Sequence, residues 1–411
     1  MLRFIRPLCL LLLAVAGSPV FAQSRTLTIE EAIRLAQENN PDVRSLTADV
    51  DAAKARLRGA SLLFQNNPAL SAATGPRSSD AGKTRDSSIQ ILQPVEIAGQ
   101  RGARISAAQA SLDAAEARLQ ALRSEVTASV RESFGRMLAA EQRLALASEA
   151  RSIALQGVTA AEERFRAGAA ALLEVNTARV ELGRATRGRA EAERSRAAAL
   201  GDLRLLVGLD PFQTVTVQGE LKPGAPRGEA AALVAQALGN RAELQASRRA
   251  LDAAKAEARL ASREWIPSPR IGASYSHEEE SNATIVQGLL AFDLPIFNRN
   301  TAARGVADAR VRQLEAEREA TLRRVTQEVL TALARLDAAR SAAEGYAGDV
   351  VKAMQQNMEL ATDSYRAGKI DFLQLIVIRR QAVEARSEYI DVLEELNAAQ
   401  ASLARAVGLA W

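Results

Sequence analysis

His277 is the only histidine in this 411-residue chain and Cys9 the only cysteine. The side chains that most often ligate transition metals, activate nucleophiles or move protons at neutral pH are therefore nearly missing. A His/Cys metal site cannot be assembled, and a lone histidine in the polar stretch from His277 to Asn282 reads as a solvated loop residue. No glycine-rich phosphate loop, nucleophile elbow or zinc-binding helix motif occurs. Carboxylates are plentiful, but no spacing singles out an acid–base pair, so neither a catalytic residue nor a cofactor is expected. What does recur is a small polar motif: Arg166-Ala167-Gly168 returns as Arg366-Ala367-Gly368. Glycine there lets the chain reverse in a tight tip at little steric cost. Among the acids that follow, Glu174 and Asp371 stand near these turns. They either bring negative charge to the tips or are simply solvated.

The elements that carry these motifs come from an internal repeat of about 200 residues. Asp51-Ala52-Ala53-Lys54-Ala55 returns as Asp252-Ala253-Ala254-Lys255-Ala256, Pro68 as Pro269, and Val207-Gly208-Leu209 as Val407-Gly408-Leu409. Two copies of one structural unit are expected, residues 23–211 and 229–411, joined by a linker over 212–228 that contains Lys222-Pro223-Gly224-Ala225-Pro226. Residues 1–22 read as a cleaved signal peptide: Arg3 and Arg6, an apolar run from Leu8 to Ala16, then Val20-Phe21-Ala22. That run is shorter than the roughly 20 residues a spanning helix needs. Cleavage would remove Cys9, so no lipid anchor is expected.

No proline occurs between Pro94 and Pro211 or after Pro295, and both stretches are rich in Ala, Leu, Glu and Arg. Apolar residues recur at sevens in Leu112, Leu119 and Val126, then Val130, Met137 and Leu144; in the second half in Leu322, Val329 and Leu336, and in Tyr389, Leu396 and Leu403. The step from Val126 to Val130 is a stutter. The pattern predicts helical hairpins over about 100–208 and 300–408, with tips near 166–170 and 366–370. Gly135 and Gly183 read as glycines inside unbroken helices. Charges of both signs interleave along these stretches, as in Arg131, Glu132, Arg136, Glu141 and Arg143. The balance of 53 Lys+Arg to 49 Asp+Glu therefore marks a solvated helix surface rather than a nucleic-acid stripe.

Before each hairpin the period changes to two. Strands are expected at about 68–76, 86–95, 269–277 and 283–295, with polar turns from Gly75 to Arg85 and His277 to Asn282. Trp265, at a helix-to-strand junction, suits either a membrane interface or ordinary packing. Four strands cannot close a barrel, and lipid tolerates no open sheet edge. Several copies must therefore share one barrel, with the charged helices continuing it as a stalk into the periplasm.

The strand-end stretches Gln93-Pro94-Val95-Glu96-Ile97-Ala98-Gly99-Gln100-Arg101 and Leu294-Pro295-Ile296-Phe297-Asn298-Arg299-Asn300, the tips Arg164-Phe165-Arg166-Ala167-Gly168 and Ser364-Tyr365-Arg366-Ala367-Gly368, and the tandem halves carry a resemblance. Over its mature length the chain resembles the TolC-type outer-membrane factors, the outer membrane efflux proteins. The resemblance implies a mainly α fold with a small β part. It also implies a homotrimer in outer-membrane lipid, with a shared twelve-stranded barrel and a twelve-helix periplasmic tube. It further implies docking of a periplasmic membrane-fusion adaptor, which leads to an inner-membrane RND pump, at tip residues Arg166, Gly168, Arg366 and Gly368. The stretches from Glu96 to Arg101 and from Gly368 to Leu375 look most like the cobalt–zinc–cadmium (CzcC-like) heavy-metal branch. Aspartate rings that many relatives carry after the tip have no counterpart in Asn176-Thr177-Ala178 or Ile376-Val377-Ile378. A multidrug or type I secretion duct of the same fold is the alternative; a periplasmic coiled-coil scaffold leaves the alternating segments unexplained.

Overall fold

The structure is a computed structural model that describes residues 25–79, 82–221, 228–347 and 350–409. The expected signal peptide and the Lys222-to-Pro226 segment of the expected linker lie outside these residues. The chain runs twice through one order of elements. The first pass is β1 (Arg25–Leu27), α1 (Ile29–Asn39), α2 (Pro41–Ala60), β2 (Ala69–Ser79), β3 (Gly82–Pro94), α3 (Gln100–Arg166) and α4 (Leu172–Val207). The second is β4 (Val215–Val217), α5 (Ala230–Asn240), α6 (Ala242–Ala261), β5 (Arg270–Glu278), β6 (Ala283–Ala291), α7 (Thr301–Ala347), α8 (Val350–Arg366) and α9 (Phe372–Val407).

Capping chemistry sets where helices begin. Thr28 caps α1, and Asn40 accepts from the Asp42 and Val43 amides at the head of α2, where Pro41 takes the first helical position. At the strand-to-helix junctions the backbone turns left-handed at Gly99 (φ 75°) and at Asn300 (φ 55°), residue types that tolerate that region. With 67 residues, α3 is about 100 Å long.

The sevens fall on the buried face. Leu112, Leu119, Val126, Val130 and Met137 are buried along α3, as are Val329, Leu336, Leu396 and Leu403 in the second half. Leu144 is only half-buried, and Leu146 is buried near it. Leu203 and Val207 complete one core with Leu27 and Val215; Leu403 and Val407 occupy the matching places in the other. Parallel pairing of β1 with β4 ties the starts of the two passes together. Gly135 does more than tolerate a helix: a Cβ there would lie 1.9 Å from Asn397 Nδ2, so α3 and α9 cross closely at this point.

The four long strands form one antiparallel sheet in the order β2-β3-β5-β6. Two expectations are corrected. Gly75 to Ser79 and Gly82 to Arg85 are strand rather than loop, since β2 and β3 pair as far as Ser79 and Gly82. His277 lies within β5, opposite Ser87 and Thr284, and the turn that follows holds Asn282 at φ 49°. Polar side chains on both faces hid these strand ends from a search for apolar alternation. The joint between the passes is the β3–β5 ladder. A Cβ at Gly272 would sit 1.8 Å from the Ile91 carbonyl oxygen, so only glycine fits there.

Candidate functional site: an open-edged sheet and two linked tips

Register divides the sheet into two faces. Leu70, Ile91, Ala273 and Gly288 form one cross-strand row, and Ala72, Ile89, Tyr275 and Val286 the next. Ile271 and Leu290 extend the same face, whose large apolar side chains are solvent-exposed in the single chain, Val286 to 72%. Ser71, Gln90, Ser274 and Gln287 make a polar row on the opposite face. There Arg77 bonds Asp86 at 2.8 Å and Glu278 at 3.0 Å, binding three strands near the turns. One face thus suits hydrocarbon and the other water. Strands of 9 to 13 residues reach across a bilayer when tilted. The outer edges of β2 and β6 have no partner strand among the described residues. Phe64 and Trp265 stand exposed at matching helix-to-strand junctions, as interfacial aromatics do.

At the far ends of the helices the two tips have one geometry. Gly168 (φ 73°) donates to Phe165 O and Ala169 to Arg164 O; Gly368 (φ 71°) donates to Tyr365 O and Lys369 to Ser364 O. These bonds satisfy the last helical carbonyls and require the left-handed backbone that glycine supplies. Arg166 is exposed with no ion pair among the described residues, and Arg366 lies 3.6 Å from Asp363. Leu172, Leu173 and Leu373 are exposed beside them.

The two acids named from sequence sit differently. Asp371 caps α9, accepting from Gln374 N at 2.7 Å while the Gln374 side chain accepts from Asp371 N. Glu174 is only 15% exposed and lies between the tips. Its Oε1 is 3.3 Å from Arg164 Nη1 and accepts the Tyr365 hydroxyl at 2.8 Å. Arg164 also donates to the Tyr365 oxygen and lies over its ring, 5.2 Å from the centroid. Tyr365 in turn packs against Phe372 at 5.9 Å, above Val158, Val175 and Ala178. Burial, then the bond to Glu174, raises the Tyr365 pKa. Sequence reasoning missed this contact. Its trace was divergence at matched positions, with Arg164 facing Ser364 and Glu174 facing Gln374 across the repeat.

Above the tips, α3, α4 and α9 enclose a groove of about 550 Å³, lined by small residues such as Ala147, Ala154, Gly157, Ala185 and Gly188. Arg379 also lines it, and burial pushes that guanidinium pKa down. Among the described residues no group of three His, Cys, Asp or Glu is arranged to hold a metal. No described helix is long and apolar enough to cross a membrane.

Comparison with known proteins follows the same division into halves. The family model described as "Outer membrane efflux protein" matches residues 32–209 and again 233–409. The cobalt-zinc-cadmium resistance protein CzcC of Cupriavidus metallidurans is 30% identical over 396 residues, 95% of this chain and 92% of that protein. The nickel-cobalt-cadmium resistance protein NccC of Alcaligenes xylosoxydans xylosoxydans is 29% identical over 66% of this chain and 59% of its own length. A crystal structure of a membrane protein from Pseudomonas aeruginosa superposes with a TM-score of 0.76 at 22% identity, covering 92% of this chain and 93% of that one.

Proposed function

The chain belongs to the outer membrane efflux protein family, and from that premise we propose that three copies form the exit duct of a tripartite efflux machine for heavy-metal cations. One observation carries the duct. The chain offers a four-stranded sheet, apolar on one face and polar on the other, with both edges unpaired. In hydrocarbon an unpaired edge costs several kcal/mol per orphaned backbone group. β6 of one copy must therefore pair with β2 of the next until the ring closes. Three copies give twelve strands, enough to surround an aqueous lumen. The helices leave the sheet at the end opposite the turns, so they continue the wall into the periplasm.

Arg166, Gly168, Arg366 and Gly368, with the exposed leucines beside them, form the docking surface for a periplasmic adaptor, and the alanine- and glycine-lined groove accepts a helix of that adaptor. Glu174 and Asp371 belong to the periplasmic aperture. The Arg164–Glu174–Tyr365 contact ties the first hairpin to the second, so any widening of the tips has to break it. The metal cargo rests on the likeness to CzcC and NccC, whose names specify cobalt, zinc, cadmium and nickel resistance. Among the described residues no group of three His, Cys, Asp or Glu is placed to bind a metal, which fits a duct that passes what a pump delivers.

Purified outer membranes should contain the protein as a heat-dissociable trimer that conducts ions in planar bilayers. Deleting the gene should sensitise cells to zinc, cobalt or cadmium. A water-soluble monomer ends the duct reading; a conducting trimer whose loss alters drug but not metal tolerance ends only the cargo.

A further inference from the structure

The outward face of the sheet does not stop at its apolar rows. Beyond Val286, Tyr275 and Ile89 comes a row of Thr284, His277, Ser87 and Thr74, and beyond that the same face carries Arg85, then Lys83. The alternation is visible in exposure: Lys83, Arg85, Ser87 and Ile89 are exposed, while Thr84, Asp86, Ser88 and Gln90 between them are half-buried. Arg85 lies four positions along β3 from Ile89, about 14 Å along the strand. Arg85 therefore clears the hydrocarbon where lipid headgroups begin.

The charges at this end are sorted by face. Asp86 and Glu278 turn inward and are held by Arg77. Glu279 accepts the backbone amide of Arg85 at 2.6 Å. Neither Lys83 nor Arg85 has a side-chain ion pair among the described residues. Two cations thus stand just above a lipid-facing apolar band, over a row of hydroxyls and an imidazole, with Asp86 and Glu278 turned to the other face and Glu279 engaged by the Arg85 amide.

We propose that Lys83 and Arg85, supported by Ser87, Thr284 and His277, bind the phosphates of a phosphorylated glycolipid of the outer leaflet. The site rests on the membrane-duct reading above and extends it: the apolar rows place the acyl chains, the polar row meets the sugar, and the cations meet its phosphates. In a ring of three copies the girdle carries six such cations. Phosphate charge fits better than a zwitterionic headgroup, since neither exposed cation has a side-chain ion pair among the described residues and Glu279, the exposed acid beside Arg85, is taken up by the Arg85 backbone amide.

The test uses the full-length trimer reconstituted into phosphatidylethanolamine vesicles with or without bis-phosphorylated lipid A, or its dephosphorylated form. Phosphorylated lipid A should raise the dissociation temperature of the wild-type trimer; dephosphorylated lipid and inorganic phosphate should not. Replacing both cations with glutamate (Lys83→Glu, Arg85→Glu) should weaken lipid A association by at least about 30-fold while leaving insertion and conductance intact. The swap Lys83→Arg with Arg85→Lys should restore it, and Lys352→Glu, on α8 far from the sheet, should change nothing. Equal response to dephosphorylated lipid, or an unchanged response in the glutamate variant, overturns the proposal while the duct stands. Failure of the wild type to insert at all defeats both.

Discussion

Replacing Tyr365 with phenylalanine removes a single oxygen from the contact between the tips. The ring survives, so its stacking on Phe372 at 5.9 Å and the Arg164 cation above it at 5.2 Å persist. The Arg164–Glu174 pair at 3.3 Å persists as well. What disappears is a hydroxyl that donates to a carboxylate and accepts from a guanidinium. Hydrogen bonds to charged groups contribute about 1.5–3 kcal/mol when protected. The Arg164 side chain is 42% exposed, so solvent screening brings the expected loss to about 1 kcal/mol per chain. If the tips of three copies part together, the sum of about 3 kcal/mol shifts the open-to-closed ratio roughly 150-fold. If each parts alone, the shift is about fivefold. Single-channel recording in planar bilayers separates these cases, with trimer dissociation temperature as the control for folding. An open probability unchanged in the phenylalanine variant, with the trimer intact, would refute the idea that this contact restrains the tips.

The same contact fixes a pH dependence. Tyr365 is raised above the ordinary tyrosine value in the joined tips, so its stabilisation is complete below about pH 10 and is lost only as pH climbs through the raised value. Conductance traces should thus be alike from mildly acidic to mildly alkaline buffer; a transition near neutrality would contradict this. Gly168→Ala and Gly368→Ala meet no neighbouring atom but must hold φ near 70°, so each should cost about 1 kcal/mol and lower the melting temperature by a few degrees in calorimetry. Gly272→Val should instead abolish the heat-dissociable trimer on gels, because its Cβ overlaps the Ile91 carbonyl at the joint between the two halves. Met137→Ala, in the core of the first half at 0% exposure, should lower stability by about 2–5 kcal/mol in denaturant titration. Chelators should leave that stability unchanged.

The long helices were legible because a repeat of seven writes itself along the chain: Leu112, Leu119 and Val126 name their own buried face. The sheet was legible only where one of its faces is apolar. From Gly75 to Ser79 and from Gly82 to Arg85 both faces carry polar groups, so the strands continue while the apolar signal stops, and the same polarity surrounds His277 in β5. Gly135 looked like a tolerated glycine, because the side chain it admits, Asn397, lies on α9. The bond from Tyr365 to Glu174 spans 191 positions. No local pattern reports such a pair, though the repeat carried a hint in the loss of Arg164 and Glu174 from the second copy.

The β3–β5 ladder has a kinetic corollary. It joins two strands of one polypeptide, so its formation is a first-order event that proceeds at any dilution. The equivalent joint between β6 and a neighbouring β2 needs an encounter. Closure of the wall should therefore slow as subunits become scarce, while each lone subunit waits with its central seam already made. Covalently linking successive copies end to end would turn those encounters into internal steps and free assembly from concentration.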